Sequence, residues 1–162
     1  MRDYTHDTEY TGAGIYALVN VMDAGIYIGK SGNIQTRFAV HRSNFSRKSA
    51  TNKMYSHPIE DFIFLVCHKM NDEEFGKYGA IIENLYIRYV QQKWQFKLYN
   101  DTERYDIDSV ILETLSELVS PGKHLDKAFR SRIGRFSCNI TRSSARTRRQ
   151  LLVDAKMKEE QA

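Results

Sequence analysis

The sequence has little of what small secreted domains and membrane proteins require. Its two cysteines, Cys67 and Cys138, lie far apart with no second pair nearby, so neither a disulfide framework nor a zinc site is indicated. No apolar run approaches the roughly 20 residues of a membrane span. The first residues also lack the apolar stretch of a signal peptide. These absences predict a cytoplasmic protein.

Acidic side chains are scarce in two stretches of the chain. Between Ala24 and Ile59 there is none, and from Pro121 to Gln150 only Asp126 opposes nine basic residues, although the net charge of the chain is only +4. Such basic regions are expected of a nucleic-acid binder, because phosphate contacts supply much of its affinity. A solvated basic surface is the alternative for either region taken alone.

The N-terminal part of the chain has the pattern of a β-hairpin. Two short runs rich in β-branched and aromatic residues, 14–20 and 26–29, flank a turn that contains Asp and Gly. Tyr16 and Tyr27 fall on these two strands. They are predicted to be cross-strand neighbours, because opposed side chains on paired strands lie only about 5 Å apart at Cβ. Two hydroxyl groups would then face one phosphate.

A helix is predicted directly after the hairpin. Ser31 or Asn33 can cap it, and its first residue lies near Ile34. Arg37 and His41 are four residues apart on this helix, so they share one face. A phenol, a guanidinium and an imidazole are therefore expected at one place, which is typical of phosphodiester chemistry.

Taken together, these residues resemble the GIY-YIG nuclease family, whose pattern is two tripeptides followed by an arginine, a histidine or tyrosine, a glutamate and an asparagine. The match runs through Gly14, Ile15, Tyr16, Tyr27, Ile28, Gly29, Arg37 and His41. The tripeptides alone are short enough to occur in any β-hairpin, and the ordered spacing into the arginine and the histidine carries the resemblance. It implies an α+β fold with a central antiparallel sheet of about three strands flanked by helices.

The resemblance also implies a metal-binding glutamate on a later helix and an asparagine at the end of the domain. Apolar residues recur at helical spacing over 75–89, with Asn71 or Asp72 as the cap. Glu83 borders the buried stripe of this helix, where a carboxylate can hold a metal and stay ionised. Asn100 stands where the family ends its domain.

The mechanism implied by the resemblance is hydrolysis assisted by one divalent metal. Glu83 would hold Mg²⁺, for which Mn²⁺ can substitute, because hard cations prefer carboxylate oxygen and water. Arg37 would steady the charge on the phosphoryl oxygens. Tyr16 would take a proton from the attacking water, helped by Arg37, the metal or His41, since an unperturbed phenol has a pKa of about 10. Tyr16 and His41 are both candidates for the ultimate proton acceptor.

Three further residues complete the implied site. Tyr27 would orient water or phosphate, Lys30 would add positive charge, and Asn100 would brace the constellation by hydrogen bonding. Each site residue also has an ordinary structural interpretation when it is taken singly: a packing tyrosine, a surface charge, a helix former or a turn residue. The coincidence of these residue types in the order of the family favours the nuclease.

Residues 42–53 are predicted to form a long polar loop, and long loops tend to be functional or disordered. Its Arg, Asn and Lys side chains are the types that pair with guanine and adenine edges, although a loop that only closes the fold is the alternative. A second basic region follows Pro121. The predicted DNA-binding residues are Arg42, Asn44, Arg47, Lys48, Lys53, Arg130, Arg132 and Arg135.

The chain is predicted to consist of a nuclease domain, residues 1–100, and a helical C-terminal extension, residues 101–162, that is basic from 121. The predicted activity is site-specific cleavage of double-stranded DNA, most simply that of a restriction enzyme. A homing, phage-type or repair nuclease is an alternative, and a nucleic-acid-binding module that does not cut is an alternative of another class. Because one active site cuts one strand, a homodimer on DNA or sequential nicking is expected.

Overall fold

The computed structural model describes residues 10–93, 96–100, 114–115 and 117–133, with side chains up to residue 128. A four-stranded sheet with the order β3-β1-β2-β4 lies at the centre of the fold. Its strands are β1 (Ala13–Asn20), β2 (Gly25–Ser31), β3 (Phe62–Met70) and β4 (Lys97–Leu98). The first three are antiparallel, as predicted. The short β4 is an addition, and it runs parallel to β2.

Among the helices in the described part of the chain, α1 (Ile34–Arg47), α2 (Asp72–Gln92) and α3 (Pro121–Ile133) flank the sheet. Asn33 caps α1 by accepting a hydrogen bond from the backbone N–H of Thr36, and Asn71 caps α2 in the same way through Glu74. Both caps were among the predicted alternatives. Three acidic residues in the first turn of α2 also favour its start, since they complement the helix dipole.

The prediction of a long loop over residues 42–53 was wrong. Helix α1 continues through Arg47 and ends with Lys48 in the left-handed conformation. A short connection then leads into a 3₁₀ helix, Lys53–Ser56, and a second one, Ile59–Asp61, precedes β3. Ser and Asn are poor helix formers, and tertiary packing of Phe45 against Phe62 and Tyr55 overrides that weak preference here.

The two faces of the sheet have separate hydrophobic cores. On one face α2 and α3 cover Ile15, Ala17 and Val19 of β1, and α3 contributes its buried Leu125. On the other face α1 and the first 3₁₀ helix enclose an aromatic cluster that includes Tyr16. The α+β class is therefore confirmed, and helical structure in the C-terminal extension is confirmed over 121–133. The boundary at residue 100 stays a prediction.

Most of the C-terminal extension falls outside the described residues. Of the predicted helical extension, residues 101–113 and 134–162 lie outside the described residues, and Arg135 is among them. Within the described ranges, no helix combines the length and the apolar character needed to cross a bilayer.

Candidate active site

Tyr16 lies at the centre of the site, buried on the aromatic face of β1. The strand register places Gly29 opposite Tyr16, whereas Tyr27 is opposite Leu18. Tyr16 and Tyr27 are therefore diagonal neighbours rather than a direct pair, with ring centroids 6.3 Å apart. A Cβ atom on Gly29 would overlap the ring and hydroxyl of Tyr16. The absence of a side chain at Gly29 therefore leaves room for the ring and hydroxyl of Tyr16.

Helix α1 brings Arg37 and His41 to the Tyr16 hydroxyl, as the spacing predicted. The Arg37 Nε–H donates to Tyr16 Oη over 3.3 Å, and His41 Nε2 lies 2.8 Å from the same oxygen. Arg37 also lowers the pKa of the Tyr27 hydroxyl, against the larger effect of burial. The His41 ring stands edge-on to both tyrosine rings, at 5.5 and 5.4 Å between centroids. The structure therefore assembles a phenol, a guanidinium and an imidazole at one point.

Burial decides the protonation of these groups in the free protein. Burial, and then the charge of Arg37, lower the pKa of His41 to about 3, so its ring is neutral near pH 7. Burial and the neighbouring Tyr27 raise the pKa of Tyr16, while the hydrogen bond and charge of Arg37 oppose the rise. Burial alone would lower the pKa of Arg37, but Tyr16 and Tyr27 outweigh it and the net shift is upward. The guanidinium is a permanent cation beside two neutral phenols.

The outer edge of β2 carries the second half of the site. Strand β4 covers only Gly25 and Ile26. Beyond it, the Asn100 side chain accepts from the Ile28 N–H over 3.0 Å and donates to the Ile28 carbonyl over 2.6 Å. One step further, the Glu83 carboxylate lies near the backbone N–H of Lys30, which together with the Lys30 charge opposes the rise in its pKa. The two predicted side chains therefore meet the edge of β2 past the end of β4.

Glu83 reaches this edge from α2, on the opposite face of the sheet from α1. Burial raises the pKa of the Glu83 carboxyl, and Lys30 opposes the rise through its charge and its N–H. Burial is the largest cause of the raised pKa of Tyr27, and the charge of the Glu83 carboxylate adds to it. Among the described residues no group of three His, Cys, Asp or Glu side chains could hold a metal ion. Glu83 is a single carboxylate, which suits a cation that keeps water and phosphate ligands.

The structure adds residues that sequence reasoning missed. Tyr55 is buried, and its hydroxyl lies 2.8 Å from Nδ1 of His41. Asn44 donates to the same hydroxyl over 3.2 Å. Phe75 of α2 lies under Lys30, whose ammonium is 5.3 Å from the ring centroid. No local signal marks Tyr55 or Phe75, because both contacts join segments that are distant in the sequence.

The predicted DNA-binding residues of the first basic region lie on and after the C-terminal half of α1. Arg47, Lys48 and Lys53 are exposed, whereas Arg42 is half-buried. The Asn44 amide is occupied by Tyr55 and by a hydrogen bond from Arg47. In the second region, Arg130 and Arg132 belong to α3, of which only the backbone is described at these positions, and Arg135 lies outside the described residues.

The comparison with protein families agrees with this geometry. The family model described as the GIY-YIG catalytic domain matches residues 12–100, which span the four strands, α1 and α2. No curated protein and no solved structure matches the chain significantly. The matched range contains Tyr16, Arg37, His41, Glu83 and Asn100, and it is more than half of the chain. This protein belongs to the GIY-YIG family of nucleases.

Proposed function

We propose that this chain is a site-specific endonuclease that hydrolyses phosphodiester bonds in double-stranded DNA with a divalent metal ion, in the manner of a restriction enzyme. The observation that carries the proposal is the convergence of Tyr16, Arg37 and His41 beside the β2 edge where Glu83 and Lys30 meet. A packed core needs neither a half-buried guanidinium on a phenol nor a half-buried carboxylate at the edge of β2. Phosphodiester hydrolysis uses both.

The residues present fit a magnesium ion. Mg²⁺ keeps several waters and is bound through one or two carboxylates together with substrate phosphates, so Glu83 is a sufficient protein ligand. A bound ion would supply Lewis-acid stabilisation of the charge on the phosphoryl group and on the leaving oxygen. The half-buried position of Glu83 favours metal binding, because water does not fully satisfy its carboxylate. Mn²⁺, which accepts the same oxygen ligands, is expected to substitute.

The chain's own residues divide the chemistry between proton transfer and charge stabilisation. Tyr16 is the group that takes the proton from the attacking water, since its oxygen is held by Arg37 and His41. Its pKa is raised in the free protein, so positive charge at the site must favour the phenolate during the reaction. Arg37 supplies such a charge and can contact the phosphate through its remaining N–H groups. Tyr27 and Lys30 orient the water and the phosphate.

The exposed basic residues that follow the site support DNA as the substrate. Arg47, Lys48 and Lys53 lie at the end of α1 and in the connection after it, and the described chain between Ala24 and Ile59 has no acidic residue to oppose them. Phosphates bound along this surface would bring the scissile bond toward Arg37, four residues before His41 on the same helix. The basic α3 is a second candidate contact.

Cleavage assays with supercoiled and linear plasmid, in Mg²⁺ or in EDTA, test the proposal. The wild-type protein is expected to give discrete fragments with metal and none with EDTA. Glu83→Gln is expected to abolish cleavage, because the amide cannot provide a charged metal ligand although it keeps an acceptor oxygen near the Lys30 N–H. Glu73→Gln is the matched control on the same helix. Within the described residues, Glu73 is exposed and forms its ion pair with Lys77 across one helical turn, so the Glu73→Gln variant should cleave at the wild-type rate.

Each outcome separates the candidate functions. Random rather than discrete fragments would contradict site specificity and leave a nuclease. Cleavage that persists in EDTA would contradict the proposed dependence on a divalent metal ion. A protein that binds several DNAs and cuts none would support the non-cleaving binding module instead. A single nick per molecule, followed slowly by the second cut, would indicate sequential action by a monomer.

A further inference from the structure

A hydrogen-bonded chain runs along α1 from the surface to the Tyr16 hydroxyl. Arg47 donates to Asn44 Oδ1, Asn44 Nδ2 donates to Tyr55 Oη, and Tyr55 Oη contacts His41 Nδ1. His41 Nε2 then contacts Tyr16 Oη. The outer members belong to no motif of the sequence. Their chemistry nevertheless restricts how His41 can meet Tyr16.

The first restriction comes from Arg47. A guanidinium only donates hydrogen bonds, so the Asn44 atom that faces it must be the oxygen. The NH₂ group of Asn44 therefore faces Tyr55, and it can only donate. The orientation of the Asn44 amide is therefore fixed by its neighbour Arg47.

The second restriction comes from the Tyr55 hydroxyl. It has one hydrogen to donate, and among the described residues its partners are Asn44 and His41. Asn44 is a donor, so His41 Nδ1 is the acceptor left for the buried hydrogen. The surroundings offer little else, since the Phe45 ring packs edge-on against Tyr55 at 5.0 Å. A buried hydroxyl without an acceptor would cost about 1–3 kcal/mol.

If Nδ1 accepts, the single proton of the neutral His41 ring is on Nε2 and points at Tyr16. We infer that Tyr55 and Asn44 are positioning residues that hold His41 as a hydrogen-bond donor to Tyr16. This rests on the proposed function of Tyr16 as the proton acceptor. Tyr16 Oη then receives two hydrogen bonds, from His41 and from Arg37, which favour its phenolate over the phenol. His41 in this form cannot take the proton of Tyr16, so Tyr16 is itself the base.

The tautomer can be inverted by a substitution that preserves size. In Asn44→Asp, a carboxylate oxygen replaces the NH₂ that faces Tyr55, and Tyr55 must then donate to it. His41 Nδ1 becomes the donor to Tyr55, and Nε2 becomes an acceptor from Tyr16. The kcat at saturating DNA is expected to fall about 100-fold, at the low end of what general acid–base catalysis contributes.

The ¹⁵N chemical shifts of the histidine rings report the tautomer directly, because protonated and unprotonated ring nitrogens resonate far apart. Wild-type His41 is expected to carry its proton on Nε2, and Asn44→Asp is expected to move it to Nδ1. His68, whose Nδ1 lies 3.2 Å from Tyr86 Oη on the other face of the sheet, should be unchanged in both proteins. Ser43→Asp places the same charge on an exposed neighbour and controls for effects on DNA binding.

These readouts separate the inference from the proposed function. A wild-type His41 with its proton on Nδ1 would overturn the inference whether or not the protein cuts DNA. An unchanged tautomer in Asn44→Asp would overturn it as well. If the tautomer inverts while the kcat stays equal to that of Ser43→Asp, the positioning has no catalytic role. Absence of cleavage by the wild-type protein would instead reject the endonuclease and leave the spectroscopic result standing.

Discussion

Substituting Gly29 by alanine should impair the active site more than it destabilises the fold. The added methyl would overlap the ring and hydroxyl of Tyr16, and this ring is also held edge-on by Phe38 at 5.4 Å. If the ring stays, overpacking costs about 1–3 kcal/mol. If it moves, the hydrogen bonds to His41 and Arg37 weaken, at about 1 kcal/mol each. Either response lowers the free energy of unfolding by about 2 kcal/mol.

The effect of Gly29→Ala on activity is expected to be larger than its effect on stability. Carbon atoms settle about 3.5–4 Å apart, so the Tyr16 hydroxyl must shift by on the order of 1 Å. A misplacement of that size can lower a rate about 100-fold. Urea unfolding followed by circular dichroism measures the stability, and single-turnover plasmid cleavage at saturating protein measures the rate.

Gly76 provides the matched control. A Cβ atom there has no neighbour within 4 Å, and the residue lies inside helix α2. Gly76→Ala should raise the free energy of unfolding by about 0.5–1 kcal/mol, because alanine favours the helix, and leave cleavage unchanged. A Gly29→Ala protein with wild-type stability and rate would refute the reasoning, since the Tyr16 hydroxyl would then not depend on the space above that glycine.

Three further outcomes are expected. Asn100→Ala removes two hydrogen bonds to Ile28 and should lower the free energy of unfolding by about 2 kcal/mol in urea titrations. Lowering the pH from 7 to 5 should cost about 2 kcal/mol of stability through His41. Burial holds the folded pKa of His41 at about 3, below its ordinary value of 6.5, so the unfolded chain binds more protons and the stability falls as the pH falls. His41→Gln should lose this pH dependence. Replacing exposed Lys48 or Lys53 by alanine should weaken DNA binding and reduce the slope of log K against log salt concentration by about 0.9 per lost phosphate contact, measured by fluorescence anisotropy.

Local signals in the sequence were enough to predict the secondary-structure elements and half of the residues of the site. The β-hairpin, the caps at Asn33 and Asn71 and the shared face of Arg37 and His41 each depend on residues close in the chain, and the structure has all of them. The strand register was not predicted, because Tyr16 and Tyr27 are diagonal neighbours in the structure and not a direct pair. Strand register depends on how the turn closes, and a shift of two residues preserves the faces of both tyrosines.

Tertiary contacts account for what the sequence did not predict. The Ser and Asn residues after His41 suggested a loop, and packing of Phe45 into the aromatic core extends the helix instead. Tyr55 reaches His41 only because the 3₁₀ helix folds back beside α1. The meeting of Glu83 with the Lys30 N–H likewise depends on α2 crossing the far face of the sheet, which no spacing within α2 could indicate.

The capped edge of β2 also bears on solubility. An unpaired edge strand invites pairing with another chain. Past β4 the Asn100 side chain occupies the outward N–H and carbonyl groups of Ile28, and the Glu83 carboxylate lies near the N–H of Lys30. Two residues of the active site therefore block strand addition as well. A catalytically inactive variant for study with DNA should therefore retain a hydrogen-bond acceptor at this edge. We expect Glu83→Gln to stay monodisperse and Glu83→Ala to self-associate. Light scattering measures the difference.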